Sequence, residues 1–358
     1  MFLWLVFYIS ELWILLIGYI ETNARSRRAL LTISALIAIY FSAFRNGLGT
    51  DYKEYLAKLQ TSVDLDIESN IEPLFRIIGN IVIDTNLSPI FFFAICSIVT
   101  VYFIWNYLDN KNNKFAGLSI IIFLSLPGLY FNTFNVVRQY FSVAIFLYSL
   151  KYIQSKQVLF YLLCIAIASM MHTSAIILIP LYFALNKQFS IKVYILFIIA
   201  LIVAAYSLDS ILSTIELLSN RYSVYLITEE EARSSTITIL CVLLLIIFWS
   251  KEKISNRKNA TIESPYMTMT VNMFILYTVF SVLTFINFYF YRLTLYFGAS
   301  VCVMMPYILY RIFNNKMSVT IVCLIFSFVY FFTFITTGQD NPDICPDEIL
   351  PISSIFDR

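Results

Sequence analysis

The chain has 358 residues, of which 60% are hydrophobic, 17% aromatic and only 13% charged, with a mean hydropathy of +0.80. Composition this apolar excludes an ordinary water-soluble domain and points to a bilayer as the solvent. The 24 basic and 22 acidic side chains nearly balance, at net +2, so there is no basic field of the kind that draws nucleic acid and none is expected as a partner.

The opening MFLWLVFYIS has neither a basic start nor a small-residue cleavage site, so it is expected to be a retained first span. Apolar runs cover 2–20, 29–44, 87–105, 115–131, 136–153, 158–185, 193–207, 236–249, 266–286, 293–310 and 318–335. The breaks between them are short and the runs do not alternate, which predicts an all-α polytopic membrane protein and not a barrel. Cys96, Cys164, Cys241, Cys302 and Cys323 lie inside these runs as small apolar residues, and Cys345 stands alone in a polar tail. That pattern offers no disulfide framework and no paired-cysteine metal site.

Basic residues gather in one set of breaks, at Arg25 to Arg28, Lys111 to Lys114, Lys151 to Lys156, Lys187 to Lys192, Lys251 to Lys258 and Arg311 to Lys316. Acids gather in the others, at 45–86, 208–235 and 336–358. The two sets fall on opposite sides of a membrane only if 158–185 goes in and comes back. As one helix that run would be roughly 42 Å long, against a hydrocarbon core of about 30 Å. Split at Met171-His172-Thr173, each arm is roughly 20 Å, too short to cross. A helical hairpin is therefore expected, its tip lined by protein or water. The expected architecture is a single transmembrane domain over 1–358 with about twelve passages, basic breaks in the cytoplasm and both termini outside. Outer loops at 45–86 and 208–235 carry amphipathic helices, and 336–358 forms an outer tail.

After Gly47 and Gly49, Thr50 is a plausible N-cap for a helix whose apolar side holds Tyr52, Tyr55, Leu56 and Leu59. A second helix is expected from near Asn70, with Pro73 early and Leu74, Phe75, Ile78, Ile81 and Val82 on its apolar side. The 208–235 loop has the same character around Ile211, Ile215 and Leu218.

Chemistry is concentrated where polar side chains interrupt apolar sequence. Arg45 ends the second run, Arg138 lies one turn into the fifth, and Arg292 sits among aromatics in NFYFYRLTLYF. A guanidinium in such a place pairs, lines water or snorkels to the headgroups, and it is suited to gripping phosphate. Glycines ahead of a helix start at Arg45 to Tyr52 let backbone N–H groups face an anion. Asp51 would repel that anion, so it is expected to orient an Arg, help hold a divalent cation or act as a base. Asn132, Asn135 and Arg138 recur at helical spacing with Gln139 beside them, which predicts one polar stripe. His172, the chain's single histidine, is at the hairpin tip as a candidate general base or phosphate donor, with Asp51 and Glu72 as competing bases. Glu11, mid-span, calls for an interhelical hydrogen bond while protonated.

Six short motifs occur in order: R-N-G-x-G-T-D-Y at Arg45 to Tyr52, E-P-x-F at Glu72 to Phe75, N-x-x-R-Q at Asn135 to Gln139, H-T-S-A-x-x-x-x-P at His172 to Pro180, R-Y-x-x-Y at Arg221 to Tyr225, and R-L-x-x-Y-F at Arg292 to Phe297. Together they resemble the EpsG/Wzy-type polysaccharide (O-antigen) polymerases. The tail CPDEILPISSIF departs from that resemblance, with Ile352 where a Tyr is expected. The resemblance implies a GT-C-like integral membrane glycosyltransferase of the bacterial cytoplasmic membrane. Such enzymes polymerise undecaprenyl-diphosphate-linked repeat units on its outer side, and a chain-length regulator is a candidate partner. On that basis Arg45, Arg138 and Arg292 would bind the diphosphate and His172 or Asp51 would take the acceptor proton. Glu72, Asn135, Gln139, Arg221 and Tyr225 would support them. No cofactor is required, and a divalent cation at Asp51 stays open. Two alternatives use the same residues: a carrier or flippase of an anionic lipid-linked glycan, exposing its site to each side in turn, and a membrane acyltransferase built on His172.

Overall fold

A computed structural model describes residues 2–21, 23–46, 51–60, 72–126, 128–190, 192–203, 235–254, 264–286, 289–337 and 353–354. Each apolar run of the sequence contains helix. In chain order these are α1 (Phe2–Ile20), α2 (Ala24–Ala43), α3 (Tyr52–Gln60), α4 (Pro73–Asp84), α5 (Ile90–Leu108), α6 (Ala116–Ser125), α7 (Asn132–Asn135), α8 (Val137–Gln154), α9 (Val158–Met171) and α10 (Leu181–Ala184). They continue with α11 (Lys192–Val203), α12 (Ser235–Ile254), α13 (Pro265–Leu283), α14 (Tyr289–Phe313) and α15 (Lys316–Thr337). Among the described residues four helices are long and apolar enough to cross a membrane: Ile90–Leu108, Pro265–Leu283, Phe290–Phe313 and Lys316–Phe334. The only strand pairing described is a two-residue antiparallel contact of Arg45–Asn46 with Ser353–Ser354.

The 115–131 run does not form the continuous span expected of it. Helix α6 stops at Ser125, and Leu126 is extended at φ −78° and ψ 121°. Pro127 follows, and a proline disfavours helical geometry in the residue before it. A helix of roughly 15 Å is too short to cross, and every residue of α6 is buried, packed by α1, α14 and α15. The close approach of α1 depends on Gly117, where a Cβ would lie 2.9 Å from the Leu15 carbonyl oxygen.

Polar side chains join the helices where apolar packing against lipid gives no preference between partners. Trp105 donates to Ser34 at 3.2 Å, Ser42 and Ser97 share a hydrogen bond of 2.8 Å, and Tyr130 donates to the Ala38 carbonyl at 2.6 Å. Arg27 and Asp109 pair at the opposite end of α2 from Arg45. Glu11 is fully buried, with Ser34 of α2 acting on its carboxyl from the neighbouring helix, although neither oxygen reaches full hydrogen-bond geometry.

The 158–185 run turns back on itself. Helix α9 ends at His172, which is extended at φ −153° and ψ 114°, and a 3₁₀ stretch Thr173–Leu178 follows. Tyr161, early in α9, donates to the Leu178 carbonyl at 2.6 Å and meets the Tyr182 ring at 5.4 Å. The returning arm therefore lies antiparallel to the first and leaves His172 at the tip.

Candidate functional site

The hairpin tip meets α4, and α3 packs against α4 in turn, both helices coming from the 45–86 segment. On α3, Tyr52, Tyr55 and Leu59 are buried, as their spacing predicts. On α4, Phe75 and Val82 are buried, but Ile81 is 54% exposed, so the apolar face is narrower than expected. Helix α4 begins at Pro73, close to the start expected near Asn70, and Asn70 itself lies outside the described residues. Glu72 occupies the N-cap position at φ −63° and ψ 144°, with no side-chain capping bond. Its carboxylate is engaged elsewhere.

One Glu72 oxygen accepts from Arg138 Nη1 at 2.5 Å, and the other lies 3.4 Å from His172 Nδ1. The His172 contact is close but poorly aligned, since Nδ1 is buried without a hydrogen bond. Arg138 Nε also donates to the Tyr55 hydroxyl at 3.1 Å, and that hydroxyl donates to Asp51 Oδ2 at 3.1 Å. A connected chain therefore runs Asp51, Tyr55, Arg138, Glu72, His172, with Asp51, Arg138, Glu72 and His172 drawn from four separate motifs. Burial opposes ionisation of Glu72, but His172 and Arg138 outweigh it and hold the carboxyl below its usual range. Burial raises the Tyr55 hydroxyl above the ordinary phenol range, with Arg138 pulling the other way and Asp51 adding to the rise. Tyr55 thus keeps its proton and can donate to Asp51.

The sequence places Tyr55 on an apolar face and gives it no chemical role. Its signal is the i, i+4 spacing from Asp51, which brings its hydroxyl to a carboxylate.

The polar stripe expected at the start of the fifth run is broken. Asn132 and Asn135 form the short α7, Val136 leaves helical geometry at φ −98° and ψ 58°, and α8 begins at Val137. The side chains consequently face different neighbours. Asn132 donates to the Tyr291 hydroxyl at 2.8 Å and Gln139 to the Arg292 carbonyl at 2.5 Å, both on α14. Arg138 faces α3 and α4. Gln139 in this way brings the start of α14 beside Arg138. The hairpin reaches the same helix, with Ser174 2.9 Å from the Tyr296 hydroxyl.

Arg45 lies at the same end of the bundle but is only 3% exposed. It donates to the Ser42 carbonyl at 2.5 Å and the Phe134 carbonyl at 3.4 Å, and no hydrogen bond reaches its Nε. Its guanidinium carbon is 4.6 Å from the Phe93 ring centroid, 5.3 Å from Phe134 and 5.9 Å from Tyr52. Arg138 is stacked similarly, 5.4 Å from Tyr55 and 5.7 Å from Phe75. Both guanidiniums thus flank α3. Arg221, Tyr225, Gly47, Gly49, Thr50 and all of the 208–235 loop but Ser235, where α12 begins, lie outside the described residues. Among the described residues no group of three or more His, Cys, Asp or Glu side chains gathers as metal ligands would.

The fold and this charged cluster define a helical membrane protein with an ion-paired acid, an arginine and a histidine at one end of its bundle. The EpsG family model matches residues 28–352, and the chain belongs to the EpsG family. That membership points to a polysaccharide polymerase in general terms. No curated protein and no solved structure matches the chain.

Proposed function

We propose that this protein joins undecaprenyl-diphosphate-linked oligosaccharide units into a surface polysaccharide, such as O-antigen, on the outer side of the bacterial cytoplasmic membrane. The observation that carries the reading is Glu72 standing between Arg138 and His172. A cation for a leaving diphosphate and an oriented imidazole for an incoming hydroxyl are the two groups glycosyl transfer from a lipid diphosphate needs.

In this mechanism an acceptor sugar hydroxyl attacks C1 of the donor sugar and the C1–oxygen bond to the diphosphate breaks. The hydroxyl proton passes to His172, and the lipid diphosphate leaves with the bonding electron pair. Glu72, 3.4 Å from His172 Nδ1, is placed to orient the imidazole ring, as a carboxylate does beside a catalytic histidine. Arg138 and Arg292 grip the diphosphate as its charge grows. Arg45, sealed among aromatic rings, adds positive potential beneath α3 and braces it. Asp51 is the second candidate base, held by Tyr55. The cluster faces outward, with both termini outside and about twelve passages.

The test is purified protein in lipid vesicles supplied only with lipid-linked repeat units. A ladder of oligomers, lost on Arg138→Ala or His172→Ala, supports the reading. Movement of intact units across the bilayer with no covalent product overturns it in favour of a carrier.

A further inference from the structure

The returning hairpin arm, α11, α13 and α14 enclose a cavity of about 380 Å³, within the range of small-ligand pockets. Leu181, Phe197, Leu276, Phe280, Leu293 and Phe297 line it. Its two lining residues with polar side chains, Asn272 and Tyr194, are engaged with their surroundings. The Asn272 amide donates to the Leu185 and Lys187 carbonyls at 2.6 and 2.8 Å and accepts from the Tyr194 hydroxyl at 2.6 Å. The wall therefore presents hydrocarbon and aromatic faces, and a hydrocarbon is the ligand that loses least by entering.

The position of the cavity says which hydrocarbon. Leu293 directly follows Arg292 and Phe297 directly follows Tyr296, whose hydroxyl meets Ser174 two residues beyond His172. One wall thus begins at the charged cluster and runs away from it, to the Asn272 contact with the Lys187 segment. Anion-seeking arginines at one end and an apolar, partly aromatic cavity behind them match an amphiphile with an anionic head and a long hydrocarbon tail.

We propose that this cavity holds the head-proximal part of the polyprenyl chain of a lipid-linked diphosphate. The inference rests on the polymerase reading for the head group and on the channel for the tail. The α13 wall from Asn272 to Phe280 rises ~12 Å, less than half of a hydrocarbon core of about 30 Å. The remainder of a long tail stays in lipid, so the site selects for the first isoprene units and tolerates extra length.

The experiment uses the full-length protein in vesicles with a photoreactive prenyl diphosphate, mapping the labelled residues. Label is expected on Leu181 and Leu293, competed by undecaprenyl phosphate and not by phospholipid. Ala184→Phe, which fills the channel, is expected to abolish that label. It should also raise KM for a long-tailed substrate roughly ten-fold, about 1.4 kcal/mol, while leaving turnover of a short-tailed one unchanged. Label spread over the lipid-facing Phe183 and Leu196, or equal competition by phospholipid, overturns the proposal. Competed label in the channel with no oligomer formed supports the prenyl site and refutes the polymerase reading, so the two failures are distinct.

Discussion

Replacing Glu72 by Gln tests the charged cluster with almost no change of shape. The carboxylate accepts from Arg138 at 2.5 Å and faces His172 Nδ1 at 3.4 Å, with side-chain exposures of 13% for Glu72 and 25% for Arg138. A Gln can still accept from Arg138 through its amide oxygen, but its NH₂ group then points at the imidazole. His172 Nδ1 must become an acceptor, which moves the ring proton to Nε2 and removes the nitrogen that would take the acceptor proton. Loss of a charge-assisted hydrogen bond at a partly shielded site costs about 2 kcal/mol of stability. Loss of the base in its working tautomer costs roughly 10²-fold or more in turnover, with KM little altered because Arg138 stays in place. Polymer yield from lipid-linked units against time, with thermal unfolding of the same preparations, measures both. Turnover within about two-fold of the unmodified protein would refute the assignment of Glu72 as the group positioning His172.

The pH response follows from the same residue. A carboxyl held below its usual range contributes stability that is complete above about pH 4.3 and is lost as pH falls through the depressed value. Acid unfolding of the unmodified protein should therefore include a component that is missing in Glu72→Gln, seen as a shallower fall in melting temperature below pH 4.3. Tyr55→Phe keeps the ring beneath Arg138 but removes both the bond to Asp51 and the one accepted from Arg138 Nε, and is expected to cost about 2–3 kcal/mol in stability by denaturant titration. Arg45→Lys preserves charge and forfeits the guanidinium contacts with the Phe93 and Phe134 rings. The cost is expected to be about 1–2 kcal/mol, read as a lower melting temperature, with activity lost through α3 and not through the diphosphate. Glu11→Leu replaces a buried carboxyl that does not reach full hydrogen-bond geometry with its neighbour Ser34, so stability should rise by roughly 1–3 kcal/mol, checked by thermal unfolding in detergent.

The helices were legible in the sequence because lipid demands long unbroken apolar runs, and the break at His172 was legible because one run was too long for one span and too short for two. The half-length of α6 was hidden behind continuous hydrophobicity, although Pro127 marked its end. The meeting of Asp51, Glu72, Arg138 and His172 could be expected only as a shared end of the bundle. Which groups pair depends on the kink at Val136, and a helical stripe drawn through Asn132, Asn135 and Arg138 cannot register it. The helical spacing at Tyr55 signals its ring, and only the fold reveals the partners of its hydroxyl. Arg45 was recognisable as a costly charge, but its enclosure by Phe93 and Phe134 joins residues far apart in the chain and has no local signature.

The most direct measurement counts lipid diphosphate released against glycosidic bonds formed by the purified protein. The account predicts one released for each bond, with both falling together in His172→Ala. Release without sugar joining, or joining without release, would contradict it.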